Sequence, residues 1–324
     1  MLEERESSLP LQDTFIPSSR VAGGKVGIAL LTAILAVSTA SLFIRFAQRD
    51  VPSLVIAALR LSFATLILAP IALTRHHHEL RTLTRRDLIL GLGSGVFLAI
   101  HFATWISSLE YTSVASSVVF VATGPLWVAI LSPLLLNERL TRIAGVGLVL
   151  AFLGGALIGL SDACAFHNGL HCPQFSQVLH GRAMWGNFLA LCGAWAVSGY
   201  LIIGRKVRAK ISLIPYIFLV YGIGAVVLLL FVFAARESLF AYAPQDYGWI
   251  FLLAAIPQLI GHSAFNWLLK YLSATMVAVT TLAEPIGSSV LAFLFLKETP
   301  ALAIIFGGVL ILLGIFLTST SGAK

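Results

Sequence analysis

Long apolar runs separated by short polar segments make up most of this chain. Ten apolar windows are each long enough to cross about 30 Å of hydrocarbon at roughly 1.5 Å per helical residue. They lie at 25–46, 52–73, 88–108, 112–136, 142–160, 184–204, 212–234, 248–269, 274–296 and 301–320. The runs are too continuous for the alternating strands of a membrane barrel. The pattern therefore predicts an all-α integral membrane protein with ten transmembrane helices.

The composition also indicates that the solvent is a bilayer. Hydrophobic residues make up 58% of the 324 residues and charged residues only 11%, whereas a soluble domain has about 25% charged residues. The formal net charge is +7, but no basic run is interleaved with aromatic residues. We therefore expect attraction to anionic membrane lipid and no binding of nucleic acid.

Lys and Arg are distributed unevenly between alternate connecting segments. With the N-terminus inside, fifteen fall on the inner side and five on the outer side, while Arg60 lies within a helix. Cytoplasmic segments carry the excess of basic residues in membrane proteins. We predict a multi-pass protein of the plasma (inner) membrane with both termini in the cytoplasm, and residues 1–24 as a cytoplasmic tail.

The longest predicted external loop, 161–183, holds two of the three cysteines, Cys164 and Cys172. An oxidising exterior permits a disulfide between them, and the sequence leaves open whether they are bridged. Three histidines share the loop, but they lack a standard metal-ligand spacing. We predict a solvated loop and no metal site.

The chain also contains an internal duplication. A single offset of 160 positions aligns Pro125 with Pro285 and Glu138 with Glu298, without gaps. Chance matches are common between apolar sequences, but prolines and charged residues in register are not. The match predicts a first repeat at 26–158 and a second at 184–319. Further pairs at the same offset are "AVS" at 36–38 and 196–198, Arg45 and Arg205, Tyr111 and Tyr271, Ser113 and Ser273, Gly147 and Gly307, and Gly154 and Gly314.

Five helices per repeat is an odd number, so the second repeat enters the membrane from the opposite side. In agreement, the turn at "NERLTR" falls on the inner side by the charge count, while its counterpart "KETP" falls outside. Inverted repeats are typical of secondary transporters, because exchange of conformations between the halves alternates the side from which the site is reached. The substrate site is then expected near the midplane, between the halves.

These residues also carry a family resemblance. Ten helices in two halves, each ending in a proline, an apolar run and a glutamate, together with "GHSAFNWLLKYLSATMVAVTTLAEP", resemble the EamA family of the drug/metabolite transporter superfamily. "HFATWISSLEYTSVASSVVFVATGPLWV" is similar to the third and fourth helices of the family, and Arg60 in "ALRLSFA" to an arginine common in the second helix. The first helix departs from the family by having "AVSTAS" where Trp-Gly is frequent. The resemblance implies transport of amino acids, metabolites or drug-like solutes.

One acidic residue, Glu284, lies deep inside an apolar window, directly before Pro285. A buried charge in a bilayer is costly and usually faces a cavity or a partner, so a substrate or proton site is one interpretation. A neutral acid that packs against a neighbouring helix is the other. The proline bends its helix, and Pro125 is expected to do the same in the first repeat, so both are candidate gating positions. Arg60 is the candidate counter-charge or anion contact, or alternatively a tie between helices.

Other polar side chains recur at helical spacing. Gln258, His262 and Asn266 are four residues apart and share one helix face, as do His101 and Trp105. Each residue alone is typical of hydrogen bonding between helices, but together they predict the lining of a cavity. Further candidates for contact with substrate are Ser116, Thr123, Tyr200 and Thr281.

The sequence thus predicts a secondary transporter for small organic solutes, without enzymatic activity. It shows no Gly-rich phosphate loop with lysine, so no ATP or other cofactor is expected. Proton coupling and a homodimer remain open. The competing hypotheses are a flippase for lipid or lipid-linked sugar, which would need a lateral opening lined by Lys or Arg, and an intramembrane enzyme, which would need polar groups clustered at one interface.

Overall fold

The computed structural model describes residues 23–112, 117, 120–163, 165–166, 170–171, 181–291, 294 and 302–321. Six helical spans are long and apolar enough to cross a membrane: the first (Gly23–Ala47), second (Ser53–Arg75), third (Arg85–Ser108), sixth (Arg182–Arg208), seventh (Leu213–Ala234) and eighth (Pro244–Leu268). Further apolar helices form the fourth (Gly124–Leu135), fifth (Arg142–Ala163), ninth (Ala274–Thr281 and Glu284–Leu291) and tenth (Leu302–Ser321). Each predicted window overlaps one of these segments, which confirms an all-α membrane protein.

Two small elements lie between the spans. A short helix, His77–Arg81, follows the second span. Two strands of two residues each, Ala165–Phe166 and Leu170–His171, pair antiparallel inside the predicted external loop. The predicted sites at Cys164, Cys172 and Ser116 lie outside the described residues, so the question of a disulfide stays open.

Several spans are interrupted where the sequence predicts continuous helices. The first consists of Gly23–Ser38 and Ala40–Ala47. The eighth contains a π-helix, Ala254–His262, with Pro257 inside it. Proline removes one backbone donor from the helical ladder, and a π-helical turn is one way in which a helix absorbs such a defect.

The fourth and ninth spans are interrupted in the same way. Turns at 122–123 and 282–283 come directly before Gly124–Leu135 and Glu284–Leu291. The backbone bonds of the two turns also match, since Thr123 N donates to Phe120 O at 3.2 Å and Ala283 N to Thr280 O at 3.1 Å. Pro125 and Pro285 cause both breaks, because each lacks the N–H that would bond four residues back.

Packing between the halves follows a pseudo-twofold relation. The first span packs on the eighth, and its counterpart the sixth packs on the third. The second span packs on the eighth, and its counterpart the seventh packs on the third. Three further pairs join counterparts directly: the second with the seventh, the fourth with the ninth, and the fifth with the tenth. When the halves are exchanged, the first four contacts map onto one another in pairs and the last three map onto themselves. Because each half has five spans, this axis lies in the membrane plane, as the inverted-repeat prediction requires.

The crossing of the fifth and tenth spans shows the same symmetry in atomic detail. A Cβ added to Gly147 would overlap the Gly314 carbonyl, and one added to Gly154 would overlap the Gly307 carbonyl. The two contacts exchange under the offset of 160 and run in opposite directions along the helices. Small residues let helix backbones approach closely in a bilayer, and here only glycine permits the approach.

Hydrogen bonds between loops bring four connecting segments together on one side of the bundle, which we call the basic face. Glu79 accepts hydrogen bonds from the backbone N (2.7 Å) and hydroxyl of Ser212. Glu138 pairs with Arg205 at 2.6 Å and accepts from Ala274 N at 3.1 Å. The segments after the second, fourth, sixth and eighth spans therefore lie together. They hold Arg75, Arg81, Arg85, Arg86, Arg139, Arg142, Arg205, Lys206, Arg208, Lys210 and Lys270.

The opposite face joins the remaining loops. Ser53 N donates to Glu110 Oε1 at 3.4 Å, and Thr112 Oγ1 donates to Asn187 Oδ1 at 2.8 Å, so the segments after the first and third spans meet the start of the sixth. In the described part of the chain, this face holds Arg45, Arg49, Arg182 and Arg236. The basic residues are thus concentrated on one face, as the charge count predicts.

Candidate functional site

The largest fully buried side chains lie between the halves, and several are polar. Arg60 on the second span is 0% exposed, as are Gln258 and Asn266 on the eighth. Arg60 Nε donates to Gln258 Oε1 at 2.9 Å. Burial of a guanidinium charge costs several kcal/mol of stability unless the group is paired and hydrogen-bonded. The groups around Arg60 therefore indicate its role.

Aromatic rings of the third span surround this arginine. The Arg60 Cζ lies 4.1 Å from the centre of the Phe102 ring, in a cation–π contact. His262 of the eighth span meets the same ring edge-on, with 5.4 Å between centroids. Phe102 therefore places the predicted residues Arg60 and His262 on one aromatic side chain, and it holds the plane of the guanidinium.

His101 and Trp105 lie beside this contact. Their rings stack with 5.7 Å between centroids and 12° between planes. His101 Nδ1 lies 2.9 Å from Gly193 O on the sixth span; because a carbonyl only accepts, Nδ1 carries the proton. The structure thus brings both residues next to Phe102 and Arg60, and their contact with substrate stays a prediction.

Tyrosines of the sixth and seventh spans complete the cluster. Asn266 Nδ2 donates to the Tyr200 hydroxyl at 2.5 Å and to the Tyr221 hydroxyl at 3.5 Å. Tyr221 lies 3.2 Å from the Ser263 hydroxyl. Gln258, His262 and Asn266 therefore all face the same buried region, which the π-helix helps to align.

Glu284 begins the second part of the ninth span and is half-buried. Its carboxyl and the Arg60 guanidinium interact through their charges, although the direct ion pairs of the described residues lie elsewhere, at Glu79 and Glu138. Ser38 donates to the Glu284 backbone carbonyl at 3.2 Å. The first span therefore fixes the backbone at the break from which this acid projects.

Five buried polar atoms in the cluster have no hydrogen-bond partner within the described residues: Arg60 Nη1 and Nη2, Gln258 Nε2, Asn266 Oδ1 and Trp105 Nε1. Native structures leave few such atoms unpaired. Four are donors and one is an acceptor. They come from the second, third and eighth spans, and polar groups left free on neighbouring helices are typical of a ligand site.

Two predicted residues make their hydrogen bonds to nearby backbone carbonyls. Thr123 Oγ1 donates to Phe120 O and Thr281 Oγ1 to Ala278 O, both at 2.7 Å within their own helices. Contact of these hydroxyls with substrate stays a prediction, as does gating at Pro125 and Pro285. The sequence interpretation missed Phe102, Tyr221 and Ser263, because aromatic and hydroxyl residues are common in apolar spans and give no distinct signal.

A groove of 540 Å³ lies beside the cluster, between the first, seventh and eighth spans. Its lining includes Lys25 and Trp267 towards the basic face, and Ser263, the hydrogen-bond partner of Tyr221. One side chain thus separates the groove from the polar cluster.

Known proteins with a similar sequence are described as transporters. The chain is 26% identical over 275 residues to "Uncharacterized transporter YxxF" of Bacillus subtilis (strain 168), which covers 83% of this chain and 82% of the relative. It is 27% identical over 256 residues to "Uncharacterized transporter sll1164" of Synechocystis sp., covering 76% and 70%. A solved crystal structure superposes with a TM-score of 0.74 at 19% identity, covering 92% of this chain and 98% of the other. At that identity the structure supports the fold alone.

The model of one protein family matches both halves of the chain. The two matched segments are residues 25–160 and 184–320. They leave out the N-terminal tail and the loop between the fifth and sixth spans. The chain therefore belongs to the EamA-like transporter family.

Proposed function

We propose that this protein is a secondary transporter that moves small organic solutes across the plasma membrane by alternating access. The observation that carries the proposal is the buried polar cluster between the inverted halves, with five unpartnered polar atoms. A purely structural polar network would satisfy its members, because an unpaired buried group costs about 1–3 kcal/mol. A bound solute supplies the missing partners.

The contacts on the basic face suggest how one state is closed. Glu138 of the first half binds Arg205 and the Ala274 backbone of the second, and Arg205 Nη1 also donates to Leu269 O at 2.7 Å, so the ends of four spans are tied there. The proline breaks of the fourth and ninth spans are the proposed hinges, since each lacks a backbone bond that would resist bending. Glu284, next to one hinge, is the proposed site of any coupled proton.

We place the basic face in the cytoplasm, following the bias of Lys and Arg. Single cysteines at Thr82 and Ala209, in a variant with the three native cysteines replaced, are then labelled from the cytoplasmic side by an impermeant maleimide. A cysteine at Arg236 is labelled from outside. Labelling of the cysteines at positions 82 and 236 from the same side of the membrane contradicts the topology.

A flippase for lipid or lipid-linked sugar is the second candidate, and the groove between the first, seventh and eighth spans favours it. The groove is largely apolar and has Lys25 near one end. A flippase, however, would carry its polar headgroup along this groove, whereas the unpartnered donors lie deeper. An intramembrane enzyme fits less well, because the polar groups come from six spans and not from one interface.

Flux in proteoliposomes tests the proposal. Purified protein is reconstituted, and uptake of radiolabelled amino acids, organic acids, amines, nucleosides and sugars is measured against empty liposomes, with and without a pH gradient. Saturable uptake of at least one solute is expected. Movement of a fluorescent phospholipid with no solute uptake would favour the flippase, and neither activity would overturn both.

A further inference from the structure

Most unpartnered atoms of the site are hydrogen-bond donors, so a ligand that fits them must supply acceptors. Arg60 Nη1 and Nη2 and Gln258 Nε2 are donors, and both side chains are 0% exposed. Gln258 Oε1 already occupies the third guanidinium nitrogen, Nε, at 2.9 Å. Within the described residues, the two terminal guanidinium nitrogens therefore remain free, and they form a planar fork.

We propose that the transported solute carries a carboxylate, which binds Arg60 Nη1 and Nη2 and receives a further hydrogen bond from Gln258 Nε2. This inference rests on the proposed transport function and names its substrate class. A carboxylate has two coplanar oxygens at the spacing of the guanidinium fork, so the pair is bidentate and charge-assisted. Phe102, 4.1 Å below the guanidinium, fixes the plane in which the carboxylate docks.

Arg60 gives the site a buried cation that a solute can contact directly. Arg60 is a buried cation, and the acid that acts on it, Glu284, is not in direct contact with it among the described ion pairs. A second carboxylate placed directly on the fork recovers the energy that burial of the guanidinium costs. Glu284 then repels the bound solute, which prevents the site from holding it too tightly.

The rest of the solute meets aromatic surface. Trp105 stacks on His101 and has a free indole N–H within the described residues, and Asn266 Oδ1 offers an acceptor. These groups suit a body that is partly apolar and carries a polar substituent. The class is therefore an organic acid with an apolar or semi-polar body, as opposed to an inorganic anion.

Matched ligand pairs test the inference. The thermal stability of the purified protein is measured at pH 8 with benzoate and benzamide, and with L-phenylalanine and L-phenylalaninamide, each pair differing in the carboxylate. Dissociation constants follow from titration of the shift. We expect only the carboxylate member of a pair to stabilise the wild type; stabilisation by both amides as well would overturn the inference.

Three variants separate a binding role from a structural one. Arg60→Gln is expected to weaken carboxylate binding at least tenfold. Gln258→Glu keeps Arg60 but places a carboxylate against it, so it is also expected to abolish binding, and it serves if Arg60→Gln fails to fold. Glu284→Gln removes the repelling charge and is expected to tighten carboxylate binding several-fold. Arg236→Gln, the same change at an exposed loop position, is the control and leaves binding unchanged.

Tighter carboxylate binding in Glu284→Gln together with weaker binding in Gln258→Glu would support a carboxylate on Arg60. Equal binding in all variants, or weaker binding in Glu284→Gln, would overturn it. If the reconstituted wild type transports amines or sugars but no carboxylate, the substrate class is wrong and the proposed function stands. If no solute is transported at all, the proposed function itself fails.

Discussion

The breaks in the fourth and ninth spans have the same backbone and different chemistry. Both turns precede a proline, and in both a serine from the packed neighbour donates to the carbonyl before that proline: Ser198 to Gly124 at 3.0 Å and Ser38 to Glu284 at 3.2 Å. The serines are related by the offset of 160, as are their acceptors. At the acceptor position, however, the first half has glycine and the second has the membrane-embedded acid.

The same asymmetry extends through the site. The positions related to Gln258, His262 and Asn266 by the offset are the apolar Leu98, Phe102 and Ile106, and the position related to Arg60 is Val220. The two halves therefore share one helix arrangement with matching breaks, which we call the frame. The second half supplies most of the polar groups. Alternating access needs the first property, and recognition of an asymmetric solute needs the second.

The largest expected effect tests the chemical difference. Glu284→Gln keeps the size of the side chain and removes its ionisation, so we expect flux to fall at least about tenfold, equivalent to about 1.4 kcal/mol in barrier, with a near-wild-type Tm. The matched variant is Gly124→Ala, where the added Cβ would lie 3.2 Å from Val197 Cγ1 and needs only a small shift. Equal losses in the two variants would contradict the asymmetry.

The proline pair tests the shared frame. Pro285→Ala and Pro125→Ala each restore a backbone donor, worth about 1 kcal/mol net, which stiffens the break. We expect each to slow turnover about fivefold and to leave ligand binding intact, as measured by flux and by thermal shift. A loss in one variant only would show that the two hinges are not equivalent.

The serine pair tests the frame through stability. Ser38→Ala and Ser198→Ala each remove a hydrogen bond to the carbonyl at a break, and we expect each to cost about 0.5–1 kcal/mol. The measurement is the Tm of the purified protein in detergent. The two values should agree closely, and a large effect at Ser38 alone would indicate that the hydroxyl supports Glu284 specifically.

The smallest effect concerns an acid outside the symmetric frame. Partial burial, together with nearby Glu110, raises the pKa of Glu237 in the loop after the seventh span. The folded state then binds this proton more readily than the unfolded state, so stability from this group falls as pH rises through its pKa. Glu237→Gln is expected to raise Tm by about 1 °C at pH 8, to change little at about pH 3.5, which is below the ordinary glutamate pKa of 4.5, and to leave flux at the wild-type level. A loss of flux would place a second functional acid outside the site.

The sequence predicts the frame well because its signals are of long range. Apolar windows and the offset of 160 depend on many residues, so single irregularities do not hide them. Arg60, Glu284 and the stripe from Gln258 to Asn266 were recognisable because polar side chains in apolar spans are rare.

The other contacts depend on packing that no local pattern encodes. Phe102 is one of many apolar aromatic residues, and only the structure shows it under Arg60. The hydroxyls of Thr123 and Thr281 bond to nearby backbone carbonyls, as threonines in helices often do, and their contact with substrate stays a prediction. The π-helix around Pro257 follows from how the eighth span relieves a missing donor, which the sequence does not specify.

The glycine crossing of the fifth and tenth spans links the evolution of the two copies of the repeat. A side chain added at Gly147 or Gly154 collides with the backbone of the other copy, so neither copy can change there without a compensating change in its twin. The two copies differ in residue type at the pairs Arg60 and Val220, and Glu284 and Gly124. Duplication thus leaves the crossing as an inherited constraint and the central positions free to acquire new specificity.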